Sequence, residues 1–301
     1  MKRDVMATII DGVFSKALQV RRMLARGAVG SIPVPLAEIV ALGRRLETMA
    51  GPEEIEQAVA LLGAQRWERT TVEVGTREGY AGWVAQYDDE ANALIALEEP
   101  VTLAMIGEAA GKDILDAGCG TGRYALRLAE AGGRVSAVDP SPEMLAAARR
   151  KAAERGLAAR FLPGELSALP FPDACFDLAV CALVLCHVAD IKGAVGELAR
   201  VVRPGGQVVI SDFHPFCLLV GWRTGFRAGE TICFIENHQH LIEEYVEAVL
   251  ASGLEVTELR EAVVDESVIP VLSAEDVERF RGWPVALVIS ATKKEEKQCQ
   301  G

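Results

Sequence analysis

The sequence predicts an α/β fold: a mostly parallel sheet covered by helices on both faces, with a small all-helical segment ahead of it. Three observations predict it. Strand-length apolar runs alternate with helix-length runs from Asp113 to Ser211, joined by short loops, which is the pattern of repeated βα units. A glycine-rich bend, Gly118-Cys119-Gly120-Thr121-Gly122, stands where the first of these strands meets its helix. Hydrophobic residues make up 50% of the 301-residue chain and charged residues 25%, which suits a globular protein with a substantial core.

The elements follow in order. Residues 5–25 read as an amphipathic helix, with Val5, Ile9, Val13, Ala17 and Leu18 on one face. Gly27, Gly30, Pro33 and Pro35 break the chain. A second helix runs from about Leu36 to Met49. A third opens at Gly51-Pro52, with Pro at its first position and Glu53, Glu54 and Glu56 near the positive end of its dipole. Residues 1–64 thus read as a helical N-terminal appendage, and 65–111 as a helical lid or connector in which Pro100 starts the helix leading into the core. Residues 112–292 form that core. Its strands are predicted at 113–116, 134–138, 159–162, 176–181, 207–211, 254–264 and 285–291. Its helices are predicted at 123–131, 142–155, 191–202 and 240–252. The turn Arg203-Pro204-Gly205-Gly206 precedes the strand at Gln207. Residues 213–239 read as a cap insertion carrying Phe213, Phe216, Trp222, Phe226 and Phe234, and 293–301 as a tail.

Composition excludes several classes. The net charge is −12, whereas a sequence-independent grip on nucleic acid needs a basic surface. The pair Lys293-Lys294 is followed at once by Glu295-Glu296. Bulk nucleic-acid binding is therefore not expected. No apolar run reaches the length of a membrane span, and the N-terminus lacks the apolar block of a signal peptide. A cytoplasmic location follows. The seven cysteines form no CxxC pair, so they read as small buried hydrophobes rather than as a zinc or redox motif.

The chemistry gathers at two strand ends. Glycines in the bend after Asp116 let backbone approach a ligand closely. Asp139 closes the next strand, where a carboxylate can accept hydrogen bonds from ribose hydroxyls. Together they describe a site for a nucleoside-bearing cofactor. A nicotinamide fingerprint wants a third glycine where Arg123 stands. A pyrophosphate also disfavours the carboxylate of Asp116, which a cationic ligand would welcome. S-adenosylmethionine carries a sulfonium and an ammonium and no phosphate, so the charge pattern favours it.

These residues resemble the class I S-adenosylmethionine-dependent methyltransferases, in particular the small-molecule, methyltransferase type 11-like branch that includes quinone, sterol, glycine and biotin-precursor methyltransferases. The resemblance runs from Asp113 to about Pro215. Leu115 to Gly122 is similar to the first motif, so Asp116, Gly118, Gly120 and Gly122 are expected around the methionine part of the cofactor. Val138 to Leu145 is similar to the second; Asp139 and Pro140 are expected at the ribose and Met144 beside the adenine. Gly164-Glu165-Leu166 resembles the third, with Glu165 where the family usually has Asp. Cys181, Ala182 and Leu183 are expected beside the cofactor, and Tyr80, Trp83 and Tyr87 over its methionine end. The resemblance implies a Rossmann-like seven-stranded sheet, mostly parallel with an antiparallel last strand.

The four histidines are candidates for the acceptor side. His187 follows the fourth strand and His214 the fifth, while His238 and His240 precede the next helix. Ligands of open α/β sheets bind beyond the carboxyl ends of the strands, and a hydroxyl or ammonium acceptor must lose a proton to a base. No Asp or Cys spacing turns His214, His238 and His240 into a metal site, so none is expected. The sequence thus points to methyl transfer from S-adenosylmethionine to an O, N or C nucleophile of a small, partly apolar acceptor. The rival from another class is a non-catalytic S-adenosylmethionine-binding scaffold or sensor acting through the N-terminal helices. Those helices are candidates for a homodimer interface or a substrate lid.

Overall fold

A computed structural model describes residues 71–89, 92–219, 221–269 and 271–295. The appendage expected at 1–64 and the end of the tail lie outside the described residues. The chain divides into two units, Met1–Val74 with Leu219–Ile235, and Gly75–Leu218 with Glu236–Gly301.

The larger unit holds a seven-stranded sheet. Its strands are β2 (Asp113–Ala117), β3 (Arg134–Asp139), β4 (Ala159–Pro163), β5 (Phe176–Ala182), β6 (Val202–Phe213), β9 (Leu254–Val263) and β10 (Pro284–Lys293), in the order β4-β3-β2-β5-β6-β10-β9. The first five pair in parallel. β10 enters between β6 and β9 and is antiparallel to both, as the family resemblance implies for the last strand. The fold is Rossmann-like. β2 pairs with β3 on one side and β5 on the other, so the strand order reverses there and opens a crevice beyond their carboxyl ends.

Alternation along the strands feeds two cores. Leu115, Ala179, Cys181, Val208, Ile210, Leu287 and Ile289 pack with residues of α5 (Ile191–Val201) and α7 (Ile242–Ala251). Their neighbours Ile114, Leu178, Val180, Val209 and Val288 pack with residues of α2 (Ala93–Ile106), α3 (Arg123–Glu130) and α4 (Pro142–Glu154). Successive side chains point to opposite faces, and both faces are covered at the centre of the sheet, where β5 and β10 are largely apolar and buried. The caps are local. Ser141 accepts from Met144 N–H at the start of α4, with Pro142 in its first turn. Asn92 accepts from the N–H groups of Leu94 and Ile95 at the start of α2, and Asp190 accepts from Gly193 N–H at α5.

Several boundaries differ from expectation. The connector is not all helical: Thr71–Val74 is strand β1, followed by α1 (Thr76–Trp83). Pro100 does not start α2 but sits inside it, on an exposed side, where water can take the hydrogen bond that its missing N–H leaves open. The turn Arg203–Gly206 does not end the pairing. β6 is already extended at Val202, opposite Phe176, and the register shifts before Gln207 pairs with Leu178. Lys293 belongs to β10 rather than to a tail, and its ammonium donates to the carbonyls of Ala199 and Val202.

The expected cap is divided. Phe213 ends β6, and α6 (Pro215–Leu219) sets Phe216 edge-on to Trp283. In the smaller unit, β7 (Gly225–Ala228) and β8 (Thr231–Ile235) form an antiparallel hairpin, and β1 adds to β8 in parallel. Phe226 and Phe234 are buried in that unit, where the Arg223 guanidinium covers the Phe234 ring and pairs with Glu73.

Candidate active site

The bend after β2 is built by backbone. The N–H groups of Gly118 and Cys119 both donate to Val138 O, at 2.8 and 2.9 Å. Gly118 has φ +78°, and a Cβ there would stand 2.5 Å from the Val184 side chain beyond β5. Only glycine lets the two strand ends approach this closely. At Gly120, φ +52°, a Cβ would meet nothing within 4 Å. The bend is therefore packed on its β5 side and open above Gly120.

The two acids of the motif are buried beside it. Asp139, 8% exposed, accepts from Gly120 N–H at 2.8 Å through one carboxylate oxygen and from Ser141 N–H at 2.9 Å through the other. A carboxylate has about four acceptor positions, so both oxygens keep capacity for further donors. Burial pushes its pKa up against those two hydrogen bonds. Asp116, 2% exposed, accepts from Ala125 N–H in the first turn of α3 at 2.8 Å. Burial raises its pKa to about 7, with the Ala125 hydrogen bond and Arg123 opposing. Asp116 thus ties the bend to the helix that follows.

Arg123 stands where a dinucleotide motif has glycine, and its guanidinium is engaged. It pairs with Glu98 at 2.8 Å and lies 3.7 Å from Glu99. Glu98 is wholly buried and also accepts from Tyr124, Thr102 and Ser211 hydroxyls. This carboxylate joins α2, α3 and β6 behind the bend. In front of it, Asp88 accepts from Thr121 Oγ1 at 2.8 Å and pairs with Lys151 at 2.9 Å. That holds the Tyr87-Asp88 turn against the bend. Tyr80, Trp83 and Tyr87 form one aromatic group, with centroids 4.9–6.0 Å apart.

The remaining candidates divide. Met144 is fully buried at the start of α4, and Leu166 is buried. Pro140 is half-buried and Glu165 is exposed. Gly164 N–H donates to Asp139 O, which brings the Glu165 segment to the tip of β3. Cys181 is buried, Ala182 is half-buried, and Leu183 next to it takes φ +59°, an uncommon conformation for a branched side chain.

The histidines do not all gather at the bend. His214 is not brought to the bend. Its Nδ1 accepts from Phe216 N–H and its Nε2 pairs with Glu261 of β9 at 2.8 Å, so it braces the β6–α6 turn towards the far edge of the sheet. His240 is buried, donates through Nε2 to Val188 O at 2.7 Å, and lies edge-on to Tyr245. His238 is half-buried, 3.9 Å from Glu236. His187 alone contacts the aromatic group, accepting from Tyr80 Oη at 2.9 Å. No cluster suited to a metal ion occurs among the described residues.

Two participants carried no motif signal. Asp212, 1% exposed at the tip of β6, accepts from Tyr245 Oη at 2.7 Å and from Phe213 N–H. Burial raises its pKa to about 6 against those bonds and Cys186. Glu98 sits in a helix with no motif around it. A carboxylate amid an apolar stretch, at Ser211-Asp212 or Leu97-Glu98, is the only signal that could have found them.

Residues 115–210 match the family described as a methyltransferase domain. The chain is 49% identical over 110 residues to a demethylmenaquinone methyltransferase of Thermus thermophilus, covering 36% of this chain and 50% of that protein. It is 38% identical over 123 residues to a malonyl-[acyl-carrier protein] O-methyltransferase of Serratia marcescens, covering 40% and 47%. The chain spans about half the length of these curated relatives. Among solved structures, a SAM-dependent methyltransferase of Methanosarcina mazei shares 26% identity at a TM-score of 0.52, covering 65% of this chain and 98% of that one. An S-adenosylmethionine-dependent methyltransferase of Mesorhizobium loti shares the fold at a TM-score of 0.55 and 24% identity, over 65% and 98%. The matched segment runs from within β2 to within β6, the part of the sheet that carries the bend and both acids. No helix among the described residues is long and apolar enough to cross a membrane.

Proposed function

We propose that this chain transfers a methyl group from S-adenosylmethionine to an oxygen, nitrogen or carbon nucleophile of a small, partly apolar acceptor. One observation carries the reading. Asp139 ends β3 with each carboxylate oxygen held by a backbone N–H, one of them from the glycine bend itself. A carboxylate fixed in this way offers its remaining lone pairs to a pair of ribose hydroxyls. The residues fit the cofactor in a second respect. The bend is open above Gly120, and two nearby cations, Arg123 and Lys151, are engaged by Glu98 and Asp88. A pyrophosphate would meet buried carboxylates there; a sulfonium and an ammonium suit them.

The roles divide as follows. Asp116, Gly118, Gly120 and Gly122 flank the methionine part, Asp139 and Pro140 the ribose, and Met144, Glu165 and Leu166 the adenine. Cys181 and Ala182 lie alongside, and Tyr87 closes the methionine end. When bound, S-adenosylmethionine supplies a methyl group already activated by its sulfonium. The chain's own task is alignment and exclusion of water, and proximity of this kind is worth roughly 7–11 kcal/mol. The two relatives are named for demethylmenaquinone and malonyl-[acyl-carrier protein], which supports a small organic acceptor group here. The same reading keeps the chain in the cytoplasm and makes residues 1–64 the candidate surface for a homodimer.

Calorimetry with S-adenosylhomocysteine tests the cofactor half directly. Micromolar binding is expected, and Asp139→Ala should weaken it more than about tenfold. Equal affinity of the variant would remove the observation on which the reading stands.

A further inference from the structure

We propose that Tyr80 and His187 form a proton relay at the carboxyl end of β5, and that the acceptor is a phenolic or enolic hydroxyl, which must lose a proton, rather than a carboxylate, which has none to lose. This rests on the methyl-transfer reading above and names the substrate class for it.

The geometry fixes each proton. His187 Nδ1 lies 2.6 Å from Glu236 O. A carbonyl only accepts, so Nδ1 carries the hydrogen and Nε2 carries a lone pair. Tyr80 Oη lies 2.9 Å from that Nε2 and must donate to it. The two rings meet edge to face at 5.3 Å, and Tyr80 stacks on Trp83, so the phenol is held in one orientation. Its oxygen keeps its lone pairs. Tyr80 also lies edge-on to Tyr87, whose neighbour Asp88 accepts from Thr121 of the bend, so the phenol stands beside the candidate cofactor site. Ligands of this fold bind at the carboxyl ends of the strands.

The charged and titratable surroundings agree with this direction of flow. Burial, together with the charges of Tyr87, Cys186, Asp139 and Asp212, holds the Tyr80 proton on its oxygen. His187 faces His238 and Glu236, and burial keeps the imidazole neutral. The relay is thus loaded with one proton on the phenol and an empty nitrogen behind it. In the transfer, the acceptor O–H bond breaks and its proton joins Tyr80 Oη. The Tyr80 proton moves to His187 Nε2, giving an imidazolium anchored on Glu236 O. The acceptor's electron pair forms the bond to the methyl carbon, and the carbon–sulfur bond breaks with its pair left on sulfur. The half-buried imidazolium then releases its proton to water. A carboxylate acceptor has no proton to give at neutral pH and would leave this chain of groups without a task.

The test uses the full chain, with 2-methyl-1,4-naphthoquinol and a malonyl thioester of N-acetylcysteamine as probes. The wild type should methylate the naphthoquinol. Its kcat should fall on the acid side as His187 is protonated. Tyr80→Phe and His187→Asn should each lower kcat at least about tenfold, within the range of general-base effects, with KM for S-adenosylmethionine changed less than about threefold. His187→Asn should also abolish the acid limb. A long-range nitrogen–proton spectrum should show one histidine held as the Nδ1–H tautomer and perturbed by Tyr80→Phe, which checks that the variants stay folded. Methylation of the malonyl thioester alone, no methylation of the naphthoquinol by a protein that binds S-adenosylhomocysteine, or an acid limb that survives His187→Asn would each overturn the relay. Failure to bind S-adenosylhomocysteine at all would instead break the underlying reading.

Discussion

The two ends of the parallel strands treat aspartate in opposite ways. At the amino ends, Asp113 of β2 and Asp177 of β5 are ringed by guanidinium groups. Arg134 and Arg203 pair with Asp113 at 2.7 and 3.0 Å, and Arg203 pairs with Asp177 at 2.6 Å. The hydrogen bond from Arg134, joined by Arg203, holds the Asp113 carboxyl below its usual range. At Asp177 burial is outweighed by Asp113 N–H and Arg203. At the carboxyl ends, Asp116, Asp139 and Asp212 are buried and have no ion-pair partner among the described residues. Burial raises all three. One rim is arranged for stability and the other is left short of positive charge. Perturbed, unpaired acids at a crevice are candidates for a functional site, and a cationic ligand would supply the missing charge.

Glu98 is the exception at the carboxyl rim, since it is buried and yet paired. Removing one partner of a buried ion pair typically costs 3–5 kcal/mol. Glu98→Ala should therefore lower stability to urea by about 3 kcal/mol, because Arg123 and three hydroxyls lose their acceptor. A loss below about 1 kcal/mol would mean that these donors find other partners, and the contrast between paired and unpaired acids would weaken.

The unpaired acids give the next effect. Asp116 and Asp212 have folded pKa values of about 7 and about 6, above the unfolded value near 3.8. Between those limits the native state binds more protons than the unfolded chain, so stability falls as pH rises from about 4 to about 7 and levels off above. A tenfold change in proton affinity corresponds to about 1.4 kcal/mol, so the drop should reach a few kcal/mol. Urea titrations at about pH 5 and about pH 8 should show it, and Asp116→Asn should flatten it. A flat wild-type profile would mean these carboxyls are solvated after all. The arginine rim has the opposite sign: its contribution is present above about pH 4 and is lost as pH falls below that.

The smallest effect belongs to the arginine rim itself. Arg203, Asp113 and Asp177 are each about a third exposed, where screening leaves ion pairs worth roughly 1 kcal/mol or less. Arg203→Ala should cost about that much, less in high salt, and leave S-adenosylhomocysteine affinity unchanged. A tenfold loss of affinity would show that the two rims are coupled and not separable.

Local signals carried most of the sheet. The βα repeat from Asp113, the bend at Gly118–Gly122, Asp139 at a strand tip and the capped helix after Ser141 all depend on neighbours in sequence, and each stands where the pattern predicts. What depends on distant partners was not legible. β1 finds its partner in β8, more than a hundred residues on, and a four-residue strand has no period of its own to announce it. Pro100 reads as a helix start because nothing in sequence says that its side of α2 faces water. His214 sits at a strand end like His187, and only the approach of Glu261 from β9 assigns it to bracing a turn. Tyr80 meets His187 across the fold, through a hydrogen bond between elements that share no motif.

The position of β10 has a consequence for how the chain reaches this state. It follows every other strand of its sheet in sequence, yet it is the only bridge between β6 and β9. During synthesis, β6 must wait with an open backbone edge, and β9 must wait without any partner, until residues 284–293 emerge. An open apolar edge of that kind invites pairing with other chains. Premature termination just ahead of Pro284 should therefore yield aggregates rather than a shorter folded domain.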